Sequence, residues 1–578
     1  MKASLKYLLA VVLVAPAVLL TLPVQANISP LQSTAILTNL SETSPTDFRE
    51  FLRQVGIKNP ALGNDLGPTI SGFLDGKALS SEQQNQIHRL LGLYARLKYG
   101  NAALQTLSEL VAIPTFRVEG VAQHENPEFI RIGNALSDLA ESFNLTFRNI
   151  DNRVYEISLN GVGDEVVGLH AHADVVPANP KNWELDDGTQ LDPFKVTQIG
   201  NRLYGRGTED DKNGIVVALY AMRVIQEERL PLARNFKLLI DTTEEIAGNA
   251  IAYYFERNPT PSYNLALDGG YPVVIAEKGY GTVTASFARR NARGDGAEIL
   301  SMTGGLAANQ IPLTSVAILL DENPVELAAR LQTTGNEYAS RNGGNFHVSA
   351  QVIDDKVSLT VTGVSAHSSE PASGVNPVAR MLGFIHSLDG KIALKQNHIT
   401  DAARYAADNW GLDYLGSKLG IGFSDAFMGP LTTSLTFIGM DEKTFTLTVN
   451  LRVPKGKPLT ALKADIAHKL GTWSQKTGIA IGLEYFMTEP MHRDPEGEWV
   501  KALLDVASEN LGMERKFGSS AGSTSVHDLP NGVQFGLARL DMKYTGHTNY
   551  EFKTVDQFLL DLQIVTEMMI RIGQLPKL

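Results

Sequence analysis

The chain has 578 residues, 43% hydrophobic and 20% charged, with a formal net charge of −12 and no cysteine. This is the composition of a mildly acidic globular protein, long enough for two or more domains with full cores. The charge gives no reason to expect nucleic acid or an anionic membrane as partner, and the lack of cysteine excludes disulfides, lipobox attachment and thiolate metal ligands.

The first segment reads as a leader. Lys2 and Lys6 precede an apolar run from Leu8 to Leu22, which is short for a bilayer span once Pro16 is counted. Val24-Gln25-Ala26 offers small residues at a cleavage site, so residues 1–26 are expected to be a signal peptide, removed before Asn27. A periplasmic or secreted bacterial protein, with no stable membrane association after cleavage, is the resulting expectation. Residues 27–100 read as a separate helical extension without chemistry. Ser80 to Gln83 forms a capping box, Ile87, Leu90, Leu91, Tyr94 and Leu97 follow at helical spacing, and Gly100 reads as a stop.

From residue 101 the pattern changes. A helix through Leu104, Leu107, Leu110 and Val111 ends at Ile113-Pro114, and strands and helices then alternate. Buried strands are expected at 165–169, 236–240 and 263–267, with a helix at 214–229. This order implies an α/β fold with a mixed, largely parallel sheet and helices on both faces. Four polar clusters end these runs or precede the next helix: HAHAD at 170–174, EDDK at 209–212, TTEE at 242–245 and LDGG at 267–270. A fifth, GHTNYE, lies at 546–551. Open α/β sheets gather ligands beyond the carboxyl ends of their strands, and such a set of His and carboxylates suits a pair of divalent metals such as zinc.

Each cluster alone has a plainer reading. Asp210 and Asp211 suit a solvated first helical turn, Asp268 suits a turn, and His170 suits a structural role beside His172. Asp174, two residues beyond His172, is placed to accept the imidazole's other N–H rather than to share its metal. Of the adjacent pair Glu244 and Glu245, one can bind metal while the other holds a water.

The ordered set is more specific. GLHAHADVVP, YGRGTEDDKNG, LIDTTEEIAG, ALDGGYPVVIAEKG, GGLAANQIP, GVSAHSSEPASGVNP, VNLRVPKG and GHTNYE together resemble the M20 family of metallopeptidases, in its long-lid, carnosinase-like dipeptidase subgroup, across residues 101–578. The resemblance implies two zinc ions, with cobalt or manganese as alternatives. His172 and Asp268 would bind one, Glu245 and His547 the other, and Asp210 would bridge them. Asp174 would orient His172, and Glu244 would be the general base on a metal-bridging water. His367 would stabilise the oxyanion from the lid, Asn309 would sit beside the substrate, and Arg452 would take its terminal carboxylate. Ala171, Asn213 and Thr243 depart from the family pattern without removing a ligand.

An α+β lid is expected at 282–486, inserted between catalytic segments 101–281 and 487–578. The resemblance to the long-lid subgroup implies a monomer, because there the extra half of the lid stands in for a partner subunit. The function implied is hydrolysis of dipeptides or very short peptides. The alternatives are a related deacylase of N-acyl amino acids and a catalytically inactive, metal-stabilised binding protein.

Overall fold

The computed structural model describes residues 28–578, except 186, 247, 306 and 540; the expected leader lies outside the described residues. A nine-stranded sheet organises the catalytic part. Its order is Thr146–Ile150, Val154–Leu159, Asn235–Asp241, Val166–His172, Tyr263–Ala266, Gly532–Gln534, Val274–Glu277 and Met491–His492, with Gly518–Ser520 also on Val274–Glu277. The four central strands, from Asn235–Asp241 to Gly532–Gln534, pair in parallel; the flanking strands are antiparallel, except Gly518–Ser520, which runs parallel to Val274–Glu277. Val166–His172 is buried almost throughout, as a strand covered on both faces must be. Helix Lys212–Glu227 is buried on nearly every side, wedged between the sheet and two further helices.

Those helices correct the expected domain boundary. Ser81–Val111 is one helix of 31 residues, opened by the Ser80–Gln83 capping box, and it runs straight through Gly100. Glycine serves there for close approach. A Cβ on Gly100 would lie 2.6 Å from Leu559, and one on Gly92 would lie 2.5 Å from the Gln563 carbonyl oxygen, both on the C-terminal helix Val555–Gln574. The long helix ends where Pro114 approaches and where the buried Lys212 ammonium donates to the carbonyls of Leu110 and Ile113 at 3.0 and 2.6 Å. The extension is likewise not a separate body. Ile36, Phe48, Phe51 and Ile70 belong to the same hydrophobic core as Leu169, Val217 and Ile240.

The second core belongs to an eight-stranded antiparallel sheet between Gly279 and Met487. Its alternating burial along Gly279–Ala288 is that of a sheet with one covered face. Among the described residues, the ladder pairing between its two four-stranded halves is that of Gly304 with Ile438. The chain crosses between the sheets twice, side by side. Gly281 pairs with Met487 on the lid side and Glu277 with Met491 on the catalytic side. Between them the Thr488 N–H donates to the Tyr280 carbonyl at 2.8 Å, and the Tyr280 N–H to Thr488 Oγ1 at 2.9 Å.

Candidate metal centre

His172 is the last residue of its strand, opposite Asp241 in the neighbouring one. Its Nδ1 lies 2.9 Å from the Asp174 backbone carbonyl and 3.5 Å from the Asp174 carboxylate. The carboxylate expected beside this imidazole is there, with the main-chain carbonyl as the nearer acceptor. The Asp174 carboxylate accepts the N–H groups of Glu244 and Glu245, at 3.1 and 3.0 Å. Such groups open the short helical turn Glu244–Ile246 and have no partner within it. Asp174 thus fixes both neighbouring glutamates, and the Nδ1 contact leaves His172 Nε2 facing the site.

Around that nitrogen, Asp210 Oδ1 lies at 2.9 Å and Asp268 Oδ2 at 3.7 Å. On the other side, His547 Nε2 lies 3.0 Å from Asp210 Oδ2 and 2.9 Å from Glu245 Oε1. One carboxylate therefore presents a different oxygen to each imidazole. Two sets of donors, His172 with Glu244 and Asp268, and His172 with Asp210 and Glu245, each converge within 4.8 Å.

The loops that carry these residues hold each other. Buried Glu551 accepts the N–H groups of Gly207, Glu209 and Asp210 at 2.9, 2.9 and 3.1 Å, and pairs with Arg206 at 2.6 Å. Glu209 in turn accepts the Thr545 N–H and hydroxyl at 2.5 and 2.6 Å. His547 has a left-handed backbone, φ 66°, a conformation that non-glycine residues seldom take outside constrained sites. Sequence reasoning gave Glu551 no role, and it missed Tyr544, whose hydroxyl donates to Asp210 Oδ2 at 2.5 Å. Nothing in a lone tyrosine within a polar loop signals that contact.

The electrostatics fit bound cations. Desolvation first, and then Asp210, raises Asp268 to about 7 and Glu245 above its ordinary range. Desolvation, with Asp268, Glu245 and Asp210 beside it, raises Glu244 well above its own. Burial alone would raise Asp210, but hydrogen bonds from both imidazoles hold it well below the usual carboxylate range. Burial would likewise depress the two imidazoles, yet their carboxylate partners raise both well above theirs. Without metal, protonated histidine supplies the positive charge that this crowd of carboxylates demands. Two His and several carboxylates, with no thiolate, suit zinc, manganese or cobalt.

The lid brings its own residues. His367 lies on a two-residue strand whose partner places it opposite Gln310, next to Asn309. Asn309 is exposed, and its backbone carbonyl accepts the Ser368 N–H at 2.9 Å. Nδ1 of His367 faces the Ser369 N–H at 3.3 Å and the Ser369 hydroxyl at 2.5 Å. The acceptor role at Nδ1 leaves the proton on Nε2. Desolvation, then the charges of Arg452 and His547, push its pKa down to about 4. Arg452 is 3% exposed, with its guanidinium 5.0 Å from the Tyr280 ring centre. It makes only long contacts, to Asn450 and Ala521 at 3.3 Å and Ser368 at 3.5 Å. Among the described residues it forms no ion pair.

Residues 168–571 match the model of peptidase family M20/M25/M40. The putative dipeptidase YtjP of Bacillus subtilis is 28% identical over 439 residues, covering 74% of this chain and 86% of that protein. The Beta-Ala-Xaa dipeptidase of Lactobacillus delbrueckii subsp. lactis is 27% identical over 481 residues, covering 81% of this chain and 95% of that protein. Human carnosine dipeptidase 1 shares the fold at a TM-score of 0.51 and 15% identity, over 85% of this chain and 99% of that one.

Proposed function

The chain belongs to peptidase family M20/M25/M40, a family of metal-dependent peptide hydrolases, and from that premise we propose that it is a dinuclear zinc dipeptidase. The observation that carries this reading is the Asp210 carboxylate, with His172 on one oxygen and His547 on the other. His172 and Asp268 would hold one ion, Glu245 and His547 the second, and Asp210 both. When bound, the ions supply Lewis-acid polarisation and a water acidified towards neutral pH.

The protein's own groups do the rest. Glu244, whose proton affinity burial and neighbouring carboxylates raise, takes the proton of the attacking water and returns it to the leaving amine. Neutral His367 donates from Nε2 to the scissile oxygen as charge develops there. Asn309 lines the same edge of the lid. Arg452, buried without a carboxylate partner, pairs with the substrate's terminal carboxylate. The names of the sequence relatives support a dipeptide substrate. N-acyl amino acids carry the same carboxylate and are the competing substrate class.

The test is a panel of dipeptides, C-terminally amidated dipeptides and N-acetyl amino acids, given to zinc-loaded protein. Free dipeptides should be cleaved best, with kcat/KM about 10²-fold or more above their amides, the scale of a lost charge-assisted pair. Equal rates on amides would remove Arg452 from carboxylate recognition. Preference for N-acetyl amino acids would replace the dipeptidase reading with the deacylase one.

A further inference from the structure

We infer that Tyr544 is a positioning residue of this centre: its hydroxyl fixes the Asp210 carboxylate in the orientation that lets each oxygen serve a different ion. The inference rests on the dinuclear reading and adds a group to it. Oδ1 of Asp210 faces His172, whereas Oδ2 receives the Tyr544 hydroxyl at 2.5 Å and faces His547 at 3.0 Å. A carboxylate oxygen has two lone pairs. The phenol occupies one on Oδ2 and leaves the other towards His547. Rotation of the carboxylate about its own axis would break this bond together with both imidazole contacts.

Two further observations point to the hydroxyl rather than the ring. Tyr544 is 48% exposed, so core packing does not explain its place. The chain also makes room for it: a Cβ on Gly546 would lie 2.3 Å from the Tyr544 oxygen and 2.4 Å from the carbon that bears it. The next residue's backbone is tied down by Glu209, which accepts the Thr545 N–H at 2.5 Å, and the preceding Lys543 ammonium donates to the Tyr550 hydroxyl at 2.7 Å. Hydrogen bonds from outside the coordination sphere orient metal ligands, and their loss typically costs ~10–100-fold in metal affinity.

Tyr544→Phe removes only the hydroxyl. Apo protein should be titrated with zinc against a chromophoric chelator, and the cobalt-loaded protein examined by visible absorption. We expect ~10–100-fold weaker binding, greatest for the ion on the His547 side, and an altered cobalt spectrum. The thermal midpoint of the apo protein should be unchanged. Gly546→Ala, which keeps the hydroxyl but displaces it, should reproduce the loss. Wild-type affinities and a superimposable cobalt spectrum in Tyr544→Phe would overturn the inference alone. Fewer than two tight ions in the unmodified protein would overturn the dinuclear reading, and this inference with it.

Discussion

Glu244 and Glu245 are neighbours in sequence with different surroundings. Glu245 lies 2.9 Å from His547, while Glu244 converges with His172 and Asp268. Both backbones hang from Asp174 through main-chain N–H groups, so a change of the Glu244 side chain leaves that anchor intact. Glu244→Gln should therefore retain both metals and lose about 10²–10⁴-fold in kcat, the scale of general acid–base catalysis. Near-normal turnover at full metal content would take the proton-transfer role away from Glu244. His172, Glu244, Glu245 and Asp268 were legible because each follows an apolar run, where a polar residue has no packing reason to be, and Asp210 because it precedes a helix; His547 was placed only by the family resemblance. Tyr544 and Glu551 were not, because their partners are more than 300 residues away and a loop carries no periodicity to align them. Asp174 was read as a partner of His172, but its bonds to the Glu244 and Glu245 N–H groups depend on a turn 70 residues later.

The packed helices show the same division. Ser80 and Gln83 marked a helix start correctly because capping is local chemistry. Gly100 misled because a missing side chain means the same in sequence whether it ends a helix or admits a neighbour. The joint between the long helix and the C-terminal one also contains a titrating group. His88 is 7% exposed, its Nε2 lies 2.9 Å from Gln574 Oε1, and desolvation pushes its pKa down to about 4. The folded form thus resists a proton that the unfolded chain accepts near 6.5. Stability from this site is full above that value and falls as pH drops towards 4. At pH 4.5 the loss is about 2–3 kcal/mol by linkage. Urea unfolding of the apo protein at pH 7 and 4.5 should show His88→Gln losing less stability than the unmodified chain over that interval. Equal losses would show that His88 is not protonated selectively on unfolding.

Over the whole molecule, the extension is built into the catalytic core rather than attached to it. Arg89, fully buried, donates to the Ile28 carbonyl at 2.9 Å and pairs with Glu509 and Glu567. The chain is thus gripped two residues after the cleavage site expected at Ala26, and we propose that the protein is exported. Exported protein should have Asn27 as its first residue and the mass of one chain in light scattering. Retention of Met1 would refute the leader, and a dimer mass would refute the monomer. The paired crossing between the two sheets has a mechanical meaning. Two strands bonded to each other through Tyr280 and Thr488 make a ribbon, and a ribbon flexes across its flat face far more readily than it twists or bends edgewise. Hinge motion needs only a few such residues. His367, Asn309 and Arg452 all lie between the two crossings, so a swing about that ribbon would move the three together, once it had parted the Ser519 hydroxyl from the Phe427 carbonyl and Arg452 from the Ala521 carbonyl.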